Sequence, residues 1–366
     1  MTQDAETTTR EEDPVNTPFE IAAAKTPTGY TRRECLTLLT AAAVVPRARV
    51  AAPVPAAATG SGKPMRGAFM ILSTPYTASG AVDWEDLARE LVFCDRCGVQ
   101  GVVWPQGSSG VARLTEAERM RGMEVLAKAA QGRKSALVLG VQGKDTAEML
   151  GYARSAEALA PDAMIAMPPS GATSLDEYRA YFRALAKVTS RPVIIQTTGG
   201  APKLTPPVDL IVGLARELPN LGYVKEESEP LVERMRAELE HRPHMKAIFG
   251  AAFGLNWLYE MRLGLDGVIT GNAMYADVMA KLWDLHERRQ HEQLRVAFSA
   301  FLLMRNLNDH VPGADLYIMQ KRGVFKTLVT RTAAGLKTLS FAPDEIAEIE
   351  YRFEALKPYL SVHSAS

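Results

Sequence analysis

The chain has 366 residues, of which 47% are hydrophobic, 23% charged and 7% aromatic, a composition typical of a globular protein with a sizeable core. The 42 Lys and Arg residues balance 42 Asp and Glu residues, so no overall field favours binding to nucleic acid or to an anionic membrane. Three cysteines exclude a disulfide scaffold, and six histidines show no zinc-site spacing, so we expect no metal and a small-molecule partner.

Residues 1–58 predict an export signal and an unstructured leader. Arg32 and Arg33 precede an uncharged run over residues 35–46, and residues 56–58 are three alanines that offer a cleavage site. The uncharged run is too short to cross a bilayer, which needs roughly twenty residues. This order of features resembles a twin-arginine signal, which exports folded proteins. We therefore expect a periplasmic or other extracytoplasmic protein whose mature form does not contact the membrane.

Eight short apolar runs follow, separated by longer amphipathic segments. The runs lack strict polar alternation, as expected of strands covered on both faces. Eight strand-helix repeats predict a TIM (β/α)8 barrel over residues 59–289. The predicted strands are Gly67–Ser73, Val99–Trp104, Ala136–Val141, Ala163–Met167, Val193–Thr197, Gly222–Lys225, Met245–Phe249 and Gly267–Thr270.

The clearest helical patterns within the barrel are Trp84–Cys97 and Leu175–Thr189, and Ala276–Arg289 closes the eighth repeat. Three further helical patterns exceed what a barrel needs and predict a C-terminal helical extension over residues 290–366. These patterns are His291–Asn308, Ala314–Thr332 and Pro343–Leu356. Because such an extension can pack on a neighbouring subunit, we expect a homo-oligomer, either a dimer or a tetramer.

In a TIM barrel the chemistry lies at the carboxyl ends of the strands. Lys225 closes the sixth strand, so its ammonium would point into a partly desolvated barrel mouth that lowers its pKa. A neutral lysine can attack a ketone to form a Schiff base, without any other cofactor. From the pattern alone, an ion pair between Lys225 and Glu226 or Glu227 at the rim is an equal alternative.

The turn after strand two, residues 107–110, reads Gly-Ser-Ser-Gly. Its small side chains let the backbone approach a ligand, and the hydroxyl groups of Ser108 and Ser109 would suit a carboxylate. The turn matches neither a nucleophile elbow nor a P-loop. The substrate-binding residues that we predict at the strand ends are Thr74, Ser108, Ser109, Gln196, Gly250 and Thr270.

From about Gly67 onward the chain resembles the dihydrodipicolinate synthase / N-acetylneuraminate lyase family of Schiff-base barrel enzymes. The matching segments are residues 74–76 with 80–83, 107–110, 114–119, 192–195, 224–226 and 264–272. The resemblance implies that Lys225 forms an imine with a 2-oxo acid. It also implies that Ser108 and Ser109 hold the carboxylate of that acid.

Four positions depart from the family pattern. The tyrosine that relays protons after strand five is replaced by Gln196, and the aromatic after strand four by the Pro169-Ser170 pair. Residues 201–203 lack the synthase arginine for a second carboxylate, and Val111 replaces a glutamate. Glutamine cannot act as an acid or base near neutral pH, so proton transfer must involve another group. The candidates are Thr197 or Thr198 with a bound water, Tyr76, and Glu227. Of these, we predict Thr197 as the catalytic residue beside Lys225.

Two functional hypotheses of different classes follow. The first is an exported Schiff-base lyase, of aldolase or dehydratase type, that acts on a 2-oxo acid or a sugar-acid derivative through Lys225. The second is a catalytically impaired barrel that binds a small carboxylic acid as a sensor or scavenging module. A 4-hydroxy-tetrahydrodipicolinate synthase ranks below both, because the arginine for a second carboxylate is missing.

Overall fold

The computed structural model describes residues 62–362, which contain eight parallel strands closed into a barrel. Each strand is short and buried along its whole length. This burial explains why the sequence shows continuous apolar runs instead of alternation. The strands are β1 Gly67–Ile71, β2 Gly101–Trp104, β3 Ala136–Gly140, β4 Ala163–Ala166, β5 Val193–Gln196, β6 Tyr223–Lys225, β7 Ala247–Gly250 and β8 Gly267–Thr270.

The strands follow one another around the barrel in chain order, and β1 closes it by pairing with β8. One apolar cluster fills the barrel, with Phe69, Ile165 and Phe249 among its members. A second, larger cluster packs the helices against the outside of the strands. The barrel interior is therefore a packed core, and only its two ends are open to ligands.

Helices separate the strands, and several begin at side-chain caps. Asp83 caps the first helix, and Thr115 and Glu118 form a capping box at the second. The helices are α1 Trp84–Cys97, α2 Glu116–Ala129, α3 Thr146–Ala158, α4 Leu175–Ala186, α5 Val208–Glu217, α6 Leu231–Glu240, α7 Trp257–Leu263, α8 Ala276–Glu287, α9 His291–Asn306, α10 Ala314–Lys321 and α11 Pro343–Glu354.

The predicted barrel and the helices after its eighth strand are confirmed, with strand ends that differ by at most two residues. The predicted helix Ala314–Thr332 is wrong in its second half. Helix α10 ends at Lys321, and β9 Val329–Thr332 pairs antiparallel with β10 Gly335–Thr338. The segment Val-Thr-Arg-Thr has two threonines and a valine, which favour strands. Gly335, at φ 112°, permits the tight return.

The predicted export signal lies outside the described residues. Within residues 62–362, no helix is both long enough and apolar enough to span a bilayer. Helix α8 ends at Glu287 and α9 begins at His291, on either side of the boundary that we predict between barrel and extension. That boundary stays a prediction.

Helix α7 buries a carboxyl group behind β7. Glu260 is 1% exposed, and neither of its carboxylate oxygens has a hydrogen-bond partner among the described residues. An added Cβ at Gly250 would lie 1.8 Å from Glu260 Oε2, so only glycine leaves room for this carboxyl group. Burial raises the pKa of Glu260 to about 7.

We expect the Glu260→Gln variant to lose less stability than the parent between pH 5 and pH 8. The pKa of Glu260 is about 7 in the folded protein, against 4.5 for an exposed glutamate. The folded state therefore keeps a proton that the unfolded chain releases. The stabilisation that this proton gives to the folded state is fully present below pH 4.5 and is lost as the pH rises through 7.

The parent should lose about 2–3 kcal/mol of unfolding free energy over this range that the variant keeps. Urea unfolding at both pH values measures the difference. The exposed Glu233 provides the matched control, Glu233→Gln, which should follow the parent. Equal pH slopes for the parent and Glu260→Gln would contradict the prediction.

Candidate active site

Lys225 is the last residue of β6 and points into the carboxyl end of the barrel. It lies in register with Gln196 on β5 and with Phe249 on β7, and only 4% of it is exposed. Two side chains contact its amine: Nζ donates to Gln196 Oε1 at 3.2 Å and lies 3.0 Å from Glu227 Oε1. Lys225 is thus buried at the barrel mouth and also has an ion-pair partner, Glu227, so its catalytic role stays a prediction.

Two opposing effects set the charge of Lys225. Burial is the larger effect and lowers the pKa of the amine, whereas the charge and hydrogen bond of Glu227 raise it. The net shift is downward. A larger fraction of the amine is therefore neutral near pH 7 than in an exposed lysine, and the neutral form is the nucleophile in imine formation.

Glu227 is held by both of its carboxylate oxygens. Oε1 faces Lys225, and Oε2 accepts a hydrogen bond of 2.6 Å from the Thr198 hydroxyl. The side chain of Glu227 is 22% exposed, so it contacts both the buried amine and the open mouth of the barrel.

Thr197 does not reach the Lys225 amine. Its hydroxyl donates to Glu226 Oε1 at 2.6 Å and accepts from the backbone N–H of Glu227 at 2.9 Å. These contacts tie the end of β5 to the loop after β6, which makes Thr197 a positioning residue for Glu227. The catalytic role that the sequence suggests for Thr197 stays a prediction.

A buried network that sequence reasoning missed anchors this loop from behind. Glu226 Oε2 accepts from Arg234 Nε at 3.0 Å, and Glu226 Oε1 accepts from the Ser228 N–H at 2.7 Å. Burial, and to a lesser extent the nearby charge of Glu226, raise the pKa of the Glu238 carboxyl group.

The two serines of the Gly-Ser-Ser-Gly turn differ in exposure and in hydrogen bonding. Ser109 is buried, and its hydroxyl donates to the Leu72 carbonyl at 2.6 Å and accepts from the Gln106 N–H at 3.1 Å. Thr74 donates to the Ser109 carbonyl at 2.6 Å. Ser108 is exposed and lies against Gly271 across the mouth. Ser109 and Thr74 therefore fix the turn to β1, and Ser108 is the hydroxyl open to a ligand.

The two predicted residues from β7 and β8 face the outer layer. Gly250 presents its Cα to Glu260, and the Thr270 hydroxyl accepts from Asn272 Nδ2 at 3.3 Å. Their neighbours Phe249 and Ile269 fill the barrel interior. A role of Gly250 or Thr270 in substrate binding stays a prediction and would involve their backbone groups.

Phe253 forms an apolar part of the mouth that no pattern in the sequence singles out. It has a left-handed backbone conformation, with φ 54°, and 41% of it is exposed. Its ring lies near Gly271, and the guanidinium of Arg305 stacks over the ring at 4.4 Å. The conformation is unusual for a bulky residue and holds an aromatic ring beside Ser108.

Tyr76 has no hydrogen bond to the Lys225 amine within residues 62–362. Its ring packs beneath the guanidinium of Arg331, 4.6 Å from the ring centroid, and burial raises the pKa of its hydroxyl. Among residues 62–362 no group of three His, Cys, Asp or Glu side chains could hold a metal ion.

Residues 64–296 match the Dihydrodipicolinate synthetase family. A 4-hydroxy-tetrahydrodipicolinate synthase from Chlorobium phaeobacteroides strain BS1 is 27% identical over 256 residues, which are 67% of this chain and 85% of that protein.

Two solved structures are similar in fold at 18% sequence identity. The 4-hydroxy-tetrahydrodipicolinate synthase from Methylacidiphilum fumariolicum SolV superposes with a TM-score of 0.70, and the alignment covers 82% of this chain and 98% of that protein's chain. CdNal from Clostridium difficile, solved in complex with mannosamine, superposes with a TM-score of 0.67, and the alignment covers 81% of this chain and 99% of that protein's chain. At this identity, the likeness shows a common fold.

Proposed function

The chain belongs to the Dihydrodipicolinate synthetase family, and from this premise we propose that it is a lyase that forms a Schiff base between Lys225 and a 2-oxo acid. One observation carries the proposal: a buried lysine with a lowered pKa lies at the carboxyl end of the barrel, the end at which this fold carries its chemistry. An iminium at this position withdraws electrons from the neighbouring carbon, so the enzyme can cleave a carbon–carbon or carbon–oxygen bond there. No other cofactor is needed for this chemistry.

The substrate would be a 2-oxo acid or a sugar-acid derivative whose carboxylate reaches Ser108. The synthase reaction of the named relatives ranks lower as an assignment. Residues 201–203 offer only the exposed Lys203 where a synthase has an arginine for a second carboxylate. Lysine lacks the bidentate fork of arginine, so a dicarboxylate would be held less firmly.

A carboxylate-binding module is the second candidate. One observation favours it: Gln196, which cannot act as an acid or base near neutral pH, stands at the family's tyrosine position. Such a module would bind a 2-oxo acid without forming a covalent bond.

Reduction with borohydride separates the two functions. The purified protein is incubated with pyruvate, 2-oxobutyrate or 2-oxoglutarate, reduced and weighed by intact mass spectrometry, while thermal shift reports binding. A lyase should gain the mass of a reduced adduct with at least one acid. Thermal stabilisation without any adduct would instead support the binding module.

We also propose that the protein is exported and that it forms a homo-oligomer, either a dimer or a tetramer. The Arg32-Arg33 pair supports export, and the variant Arg32→Lys with Arg33→Lys should remain in the cytoplasm because the pair is read by the translocase. Fractionation and immunoblotting measure this, and a variant that is still exported would contradict the twin-arginine assignment. Light scattering of the purified protein measures the subunit number.

A further inference from the structure

We propose that Glu227 transfers the protons of imine formation on Lys225, in place of the tyrosine that this family has on β5. The inference rests on the proposed Schiff-base function. It begins from the contact between Glu227 Oε1 and the Lys225 amine, at 3.0 Å. A proton-transfer group must lie within about 2.6–3.2 Å of the atom whose proton it moves, and Glu227 meets this condition.

The other candidate groups at the mouth fail on chemistry or on position. Gln196 contacts the amine but has no proton to exchange near neutral pH. The Thr197 hydroxyl is directed to Glu226, and the Thr198 hydroxyl donates to Glu227 itself. Tyr76 packs under Arg331. Glu227 is thus the titratable group, among these candidates, that touches the reacting nitrogen.

The surroundings of Glu227 hold its carboxylate in place. Thr198 fixes Oε2, and Thr197 accepts from the backbone N–H of Glu227. Glu226, which precedes Glu227 in the loop, is itself anchored by an ion pair with the buried Arg234. The reacting oxygen, Oε1, therefore faces Lys225 without a large rearrangement, as a preorganised acid-base group requires.

The proton balance of imine formation needs one group that alternately accepts and donates. The Glu227 carboxylate takes a proton from the Lys225 ammonium, and the neutral amine then forms a bond to the C2 carbon of the 2-oxo acid. The carbonyl electron pair moves to oxygen, which receives that proton from Glu227 and becomes a hydroxyl. Glu227 next removes a proton from the nitrogen and returns it to the hydroxyl. The carbon–oxygen bond breaks, water leaves, and the nitrogen lone pair completes the iminium.

A purely electrostatic role for Glu227 makes the opposite prediction. If Glu227 served only as a counter-ion, it would raise the pKa of Lys225 and keep the amine protonated. Removing its charge would then increase the neutral fraction of the amine and accelerate imine formation at neutral pH. The direction of the rate change in Glu227→Gln therefore distinguishes a proton carrier from a counter-ion.

The test is a rapid-quench time course at pH 7.5. Parent and variant proteins are mixed with saturating pyruvate, or with whichever acid of the panel is trapped best, and are quenched with borohydride at increasing times. Intact mass gives the rate of adduct formation. We expect Glu227→Gln to form the adduct about 10²–10⁴ times more slowly, the usual effect of removing a positioned acid-base group. Thermal shift with the same acid should show that binding is retained.

Two further variants keep the result interpretable. Glu229→Gln makes the same chemical change at an exposed position of the same loop and should react at the parent rate. Thr198→Val removes the hydrogen bond to Oε2 and should give an intermediate rate while the carboxylate remains. This variant tests the proposal even if Glu227→Gln folds poorly.

Each outcome decides between named explanations. An unchanged or faster rate in a folded Glu227→Gln protein would overturn the role of Glu227 and leave the Schiff-base function intact. Absence of an adduct in the parent protein would instead overturn the Schiff-base function. A parent rate in Thr198→Val would also count against the proposal, because Oε2 would then not need its clamp.

Discussion

The Lys225→Ala variant is expected to give no borohydride-trapped adduct with any 2-oxo acid. The amine of Lys225 supplies the nitrogen of the imine, so a variant without this amine cannot form the carbon–nitrogen bond that borohydride reduces. The lysine is also the partner of Glu227 and Gln196, and its loss leaves a small void in the site. Lys225→Met fills most of that volume and should be equally inactive, which separates lost chemistry from lost packing.

Lys203 provides the matched control for this experiment. It is exposed in the loop after β5, and Lys203→Ala should keep the full adduct with pyruvate because it leaves the Lys225 amine and its contacts in place. Intact mass and a thermal melt should be recorded for all three variants. An adduct on folded Lys225→Met protein would show that a different nitrogen reacts.

Arg322→Met is expected to lower the free energy of unfolding by about 3–5 kcal/mol. Arg322 and Asp277 are each 2% exposed and form a bidentate pair, with Nη1–Oδ1 and Nη2–Oδ2 distances of 3.0 and 2.7 Å. Arg322 also donates to the carbonyls of Met274 and Val362. Removing the guanidinium leaves the Asp277 carboxylate buried without a compensating charge, which is the costly half of breaking such a pair.

The same ion pair joins the barrel to its C-terminal extension, because Asp277 Oδ2 also accepts from the Ser361 N–H at 3.0 Å. Urea unfolding measures the loss. Arg322→Met combined with Asp277→Asn should lose less than Arg322→Met alone, since the second change removes the isolated charge. A single variant within about 0.5 kcal/mol of the parent, the range of an ordinary surface substitution, would contradict this account of the pair.

The sequence predicted the barrel well because parallel strands covered on both faces are continuous apolar runs, and eight of them were countable. The position of Lys225 followed from the same count. The sequence could not show whether Gly250 and Thr270 face the barrel interior or the helices, because runs without alternation do not reveal which residues point inward. The strand Val329–Thr332, the first of the hairpin, was missed because its apolar and polar residues also suit a helical spacing.

The side-chain contacts of the site were beyond sequence reasoning for a different reason. Glu226 and Glu227 are adjacent acidic residues after the same strand, and the pattern gave no basis for choosing between them. The structure directs Glu227 to Lys225 and Glu226 to Arg234. Likewise, the two serines of the turn look equivalent, but Ser109 is committed to the Leu72 carbonyl.

Peptide mapping of the reduced adduct is the most direct test of the central claim that Lys225 is the Schiff-base lysine. The protein is reduced in the presence of its best-trapped 2-oxo acid, digested, and sequenced by tandem mass spectrometry. We predict that the added mass lies on Lys225 and on no other lysine of the barrel mouth. An adduct located on Lys203, or the absence of any adduct while thermal shift shows binding, would contradict the claim.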